Sequence, residues 1–80
     1  MSNQEKLRAC FRVALELPAG ADVDALEYAK QPVWDSVAHM RLVAEIERQF
    51  VIMFTTDQIL DLSSYAKAQE IVGSHGVAWT

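Results

Sequence analysis

The sequence predicts an all-α fold: a bundle of three main helices and one short helix, with a long loop between the first and second. Three observations predict it. Apolar residues recur at steps of three and four in separate stretches, the spacing of one helix face. Each stretch is preceded by a Ser, Thr or Asp that can cap it. Hydrophobic residues make up 51% of the 80 residues and charged ones 22%, too apolar a balance for a disordered segment. A chain of this length buries only roughly 60% of the surface its unfolded form exposes, so the expectation is one economical domain. That domain spans 1–80, with an ordered core over about 3–73 and a flexible tail over 74–80.

Ser2 followed by Glu5 has the capping-box form, which satisfies free N–H groups at a helix start. Leu7, Cys10, Phe11, Ala14 and Leu15 then make one apolar stripe, and Pro18 and Gly20 end the first helix near Leu17. Cys10 lies on that stripe and reads as a small buried apolar residue rather than a nucleophile. Residues 18–35 hold both prolines and one of the three glycines, so they read as a loop with a short turn near Asp24 to Ala29. From residue 22 on, Asp22, Asp24, Glu27 and Asp35 face only Lys30, and Leu26 and Tyr28 are the expected anchors into the core. A loop this long in so small a domain is more often functional than idle.

The second helix starts at Asp35, whose carboxylate suits both the N-cap and the positive end of the helix dipole. Leu42, Ile46 and Phe50 form its core side. Val37, Met40, Val43 and Ala44 are in excess, which reads either as a docking face or as a central helix buried on several sides. Phe50, Ile52 and Phe54 alternate at period two, so the chain runs extended over the core. Thr55 or Thr56 caps a short helix with Ile59, Leu60 and Leu62. Ser63 or Ser64 caps a last helix with Tyr65, Ala68, Ile71 and Val72, ended by Gly73 and Gly76.

Charge and composition exclude several functions. Seven Lys and Arg against 11 Asp and Glu give a net charge of −4, the wrong sign for phosphate neutralisation, so no nucleic acid is expected as a partner. The one cysteine cannot form an internal disulfide, and a reducing cytoplasm is the expected compartment. The start, MSNQEKLR, lacks the apolar stretch of a signal peptide, and no run reaches the roughly 20 apolar residues of a membrane span. His39 and His75 have no Cys or carboxylate at metal-ligand spacing; each reads as a partly exposed surface residue, and no metal site is expected. Three scattered glycines make no phosphate loop. Ser36 and His39 stand one turn apart, but a triad also needs an orienting carboxylate and an oxyanion hole in a cleft. Nothing here predicts an enzyme.

What remains is Asp35-Ser36-Val37 at the start of a strongly marked helix, with the Ser36 side chain directed outward. Taken alone, such a serine is ordinarily a capping residue. The whole chain, however, resembles an acyl carrier protein of the phosphopantetheine-attachment family. The family's Asp-Ser-Leu stands here as Asp35-Ser36-Val37. The similarity continues through Leu42-Val43, Ile46-Glu47, Phe50, Thr56-Asp57-Gln58-Ile59 and Leu62-Ser63-Ser64-Tyr65, over nearly the full length.

The resemblance implies a four-helix carrier bundle in which a separate phosphopantetheinyl transferase moves the 4′-phosphopantetheine arm of coenzyme A onto Ser36. Asp35 would cap the helix and contact the transferase with its metal. A phosphodiester at that place lies beside unpaired N–H groups and the positive dipole end. The arm's thiol would hold acyl or aminoacyl groups as thioesters, so the protein is a carrier substrate of other enzymes with no catalytic residues of its own. The implied partners are the transferase, an acyl-loading ligase or acyltransferase, and downstream acyl-processing enzymes of fatty acid, polyketide or other specialised biosynthesis, acting on a monomer. Docking falls on Val37, Met40, Arg41, Ala44 and Glu47. An acyl cavity would fall on Ile46, Phe50, Ile59, Leu62 and Ala68, which are equally ordinary core positions.

The chain also departs from that family. Relatives in fatty acid synthesis carry acids along the second helix, whereas Arg41 and Arg48 here balance Glu45 and Glu47, and Ala38 and Arg41 stand where acids are common. Charge complementarity selects partners, so a neutral helix points to a specialised carrier. The glycine usual before the Asp-Ser pair is replaced by Val33-Trp34, and Trp34 is expected to pack against His39 as a staple, the alternative being a direct contact with a partner. The competing expectation is a carrier-like helical interaction module that is never modified.

Overall fold

A computed structural model describes residues 2–79; Met1 and Thr80, the last residue of the expected tail, lie outside the described residues. Among the described residues the chain folds as four helices: α1 (Asn3–Ala14), α2 (Ser36–Phe50), α3 (Thr56–Asp61) and α4 (Tyr65–Gly73). A single 3-10 turn over Val23–Ala25 interrupts the long loop. Among the described residues there is no strand, only one bridge pair between Glu27 and Ser64.

The caps form where small polar residues stand at the helix starts. Ser2 accepts from Glu5 N at 3.1 Å, Asp35 from Ala38 N at 2.8 Å and Ser64 from Lys67 N at 3.1 Å. Thr55 and Gln58 make a full reciprocal box at α3. α1 ends at Ala14, earlier than the Leu17 expected from Pro18. Glu16 takes a left-handed φ of 54° there, with Leu17 N bonded to Arg12 O and Glu16 N to Val13 O. That is a Schellman stop made without glycine, and it frees Leu17 for the extended backbone that a following proline favours. α2 closes similarly, through Val51 at φ 54°.

The buried side of α1 is the expected stripe, Leu7, Cys10, Phe11, Ala14 and Leu15. It forms one core with Leu42, Val43 and Ile46 of α2, Tyr65, Ala68, Ile71 and Val72 of α4, and Phe54 and Leu62. Val43, counted among the excess apolar residues of α2, is therefore core, because α1 packs along that side of α2; Val37, Met40 and Ala44 stay exposed. The loop anchors also differ from expectation. Val23 and Trp34 are buried, Leu26 is half-buried and Tyr28 is exposed. An indole fills more of the bundle's end than a leucine does, and Phe11 meets it edge-on at 5.5 Å.

α3 contributes no fully buried residue of its own. After α4, the chain folds back over the bundle: Asn3 Nδ2 donates to Ala78 O at 2.8 Å and Trp79 packs on Phe50. Among the described residues no helix is long and apolar enough to cross a membrane.

Candidate functional site

Ser36 is the first residue of α2 and is exposed. Asp35 turns its carboxylate onto Ala38 N, which fixes the helix start and leaves the serine hydroxyl facing solvent. The first N–H groups of a helix have no intrahelical acceptor, so this end carries partial positive charge. Two clefts meet at Ser36. One, of about 410 Å³, runs along the loop past Tyr28, Pro32 and Trp34. The other, of about 210 Å³, lies between α2 and α3 and is lined by Tyr28, Ser36, His39, Met40, Ile59 and Leu60.

His39 forms the floor of the second cleft. It is 8% exposed, so the surface position expected for it is wrong. The reason is Trp34, whose indole Nε1 donates to His39 Nδ1 at 3.0 Å. The expected staple across the helix start is thus both a stacking contact and a hydrogen bond. On its other side, His39 Nε2 is 2.8 Å from the carbonyl oxygen of Ile59. An indole N–H only donates and a carbonyl only accepts. His39 is therefore the neutral tautomer with its proton on Nε2, donating to Ile59 O. Both ring nitrogens are committed, which leaves none to activate Ser36 as a nucleophile.

Of the expected docking residues, Val37 (65% exposed), Met40 (53% exposed) and Ala44 are open to solvent on α2. Arg41 is exposed but tied back: its Nε donates to Ala14 O at 3.1 Å, and its guanidinium reaches Glu16 at 3.9 Å. Glu47 is half-buried and accepts from Phe54 N at 2.8 Å, closing the turn after α2. The expected cavity residues divide. Ile46, Leu62 and Ala68 are fully buried core, Phe50 is half-buried beside Trp79, and Ile59 reaches the cleft at Ser36.

Tyr28 and Leu60 (76% exposed) belong to the Ser36 cleft and were not singled out from the sequence as site residues. Leu60 left a signal. Ile59 and Leu60 are adjacent on a six-residue helix, and adjacent residues cannot both face inward. Tyr28 left none, because its place depends on the bond from its N–H to Ser63 O, which ties the loop to the start of α4.

His75 is exposed, stacked on Phe54 and within 3.0 Å of Gln58 Oε1. Cys10 is buried, and burial together with the nearby Glu45 pushes its thiol up to about 12. Among the described residues, no group of three or more His, Cys, Asp or Glu is placed to hold a metal ion. No family model, curated protein or solved structure matches this chain.

Proposed function

We propose that the chain is an acyl or aminoacyl carrier, modified on Ser36 with 4′-phosphopantetheine and serving a specialised biosynthetic route. One observation carries this reading: an unengaged, exposed serine stands at the first position of a 15-residue helix, at the meeting of two clefts.

The residues fit the arm. A phosphodiester on Ser36 meets the free N–H groups of the α2 start. Asp35 already takes the Ala38 N–H on its carboxylate and the His39 N–H on its carbonyl, which leaves the N–H groups of Ser36 and Val37 for the phosphate. The cleft of Tyr28, Met40, Ile59 and Leu60 offers an apolar wall along which a flexible chain can lie. When bound, the group supplies a thiol that carries cargo as a thioester. In the transfer, Ser36 Oγ would bond to the phosphopantetheine phosphorus as the pyrophosphate bond of coenzyme A breaks, adenosine 3′,5′-bisphosphate would leave with the bridging oxygen, and the serine proton would pass to the transferase. Asp35 is the residue expected to meet the transferase and its metal.

Incubation with coenzyme A, magnesium and a broad-specificity phosphopantetheinyl transferase tests this by intact mass. The expected result is a gain of one phosphopantetheine that is lost in Ser36→Ala. A second reading, an unmodified interaction module, is favoured by the exposed Val37, Met40 and Leu60. It gains ground if several transferases leave the mass unchanged.

A further inference from the structure

α3 is weakly fastened to the bundle. Six residues are too few for a helix to be stable alone, and none of its residues is fully buried. Its last carbonyls lack intrahelical donors, and one of them, Ile59 O, is taken by His39 Nε2. His39 is in turn held by Trp34, which is 0% exposed. One continuous chain of hydrogen bonds therefore runs from the loop through α2 to α3, beside Ser36. Behind His39, on the same buried face of α2, lie Leu42, Val43 and Ile46.

We propose that His39, held by Trp34, decides where an apolar group carried on Ser36 can lie. While His39 bonds both partners, the seam between α2 and α3 is shut. A carried group then rests in the surface cleft against Tyr28, Met40, Ile59 and Leu60 and does not enter the core. At about 210 Å³ that cleft falls below the ~300 Å³ at which drug-sized pockets begin, so it suits short groups, and longer ones extend into solvent. The inference rests on the carrier reading for the identity of the cargo, but the geometry can be tested without any transferase.

The test uses Ser36→Cys in a Cys10→Ala background, labelled with butyl or dodecyl methanethiosulfonate. The thiolate at position 36 attacks the alkylthio sulfur; one S–S bond forms, the S–SO2 bond breaks and methanesulfinate leaves. Methyl NMR signals are then compared between the two chain lengths. The expected result is that Met40, Ile59 and Leu60 shift with either label while Leu42, Ile46 and Leu62 do not respond to length. With His39→Ala added, the core signals should shift with the dodecyl label only.

His39→Gln, which can donate to Ile59 O and accept from Trp34, should restore the parent pattern. Should His39→Ala fail to fold, Trp34→Phe opens the same chain of bonds while keeping most of the ring. A merely structural role would destabilise the butyl and dodecyl forms alike. Core shifts with the dodecyl label in the parent protein would overturn the proposal, as would their absence in both opened variants. Failure of Ser36 to accept phosphopantetheine would instead overturn the carrier reading and leave this geometric result standing.

Discussion

The indole Nε1 of Trp34 donates to Nδ1 of His39 across 3.0 Å inside the protein. That bond joins the end of the long loop to the first turn of α2 and fixes the proton of His39 on the opposite nitrogen, against Ile59 O. Trp34→Phe keeps most of the ring and removes the donor. A buried acceptor left without its partner costs about 1–3 kcal/mol. In a domain of this size about 1 kcal/mol lowers Tm by roughly 4–8 °C. A drop in that range or larger is the expected outcome by calorimetry, and an unchanged Tm would show that the bond carries no stability.

Asp35 caps α2 through Ala38 N, whereas Ser36 makes no such bond. Asp35→Ala should cost about 1 kcal/mol, the usual effect of losing an N-cap. Ser36→Ala should change stability by less than about 0.5 kcal/mol, as expected for an exposed position. Urea denaturation of the two variants checks both. A large loss in Ser36→Ala would mean that this serine is structural.

Glu47 accepts from Phe54 N and thereby holds the extended segment after α2. Removing it leaves that N–H without its charged acceptor, at a cost of about 1.5–3 kcal/mol. Glu47→Ala is expected to be destabilising in the absence of any partner protein. If it unfolds like the parent in urea, Glu47 is free for docking after all.

Val51 is a β-branched residue at φ 54°, exposed, at the end of α2. A left-handed conformation costs a side-chain-bearing residue roughly 1–2 kcal/mol, part of which glycine gives back through the greater freedom of its unfolded state. Val51→Gly should therefore raise stability, by up to about 1 kcal/mol. A fall in Tm would mean that the valine makes contacts worth more than the strain.

Burial raises the Cys10 thiol from 9.0 to about 12. Between those values the unfolded chain has released the thiol proton and the folded chain has not. Fewer protons on the unfolded state mean that stability falls as pH rises. The contribution is full below pH 9 and disappears as pH climbs toward 12. Urea midpoints followed from pH 8 to 11 should decline more steeply for the parent than for Cys10→Ala. The native thiol should also resist iodoacetamide at pH 8 and react once the chain is unfolded.

The helices and their caps were legible from the residues because both signals are local. Apolar spacing sets which side of α1 and α4 is buried, and Ser2, Asp35 and Ser64 lie within three residues of the N–H groups they accept from. Ser36 stood out for the same reason: its exposure follows from its position at the start of a capped helix.

The surroundings of Ser36 were not legible, because they depend on residues far apart in the chain. His39 looked like a surface histidine until Trp34 and the Ile59 carbonyl, 20 residues on, took both its nitrogens. Glu47 looked available until the backbone at Phe54 met it, and Val43 stood between docking face and core until the packing of α1 on α2 settled it. Tyr28 entered the site through a bond to Ser63, 35 positions away. Periodicity tells which face of a helix turns inward. It does not tell which polar atom that face will meet, and that partner decides whether a histidine is free, buried or a lock between two helices.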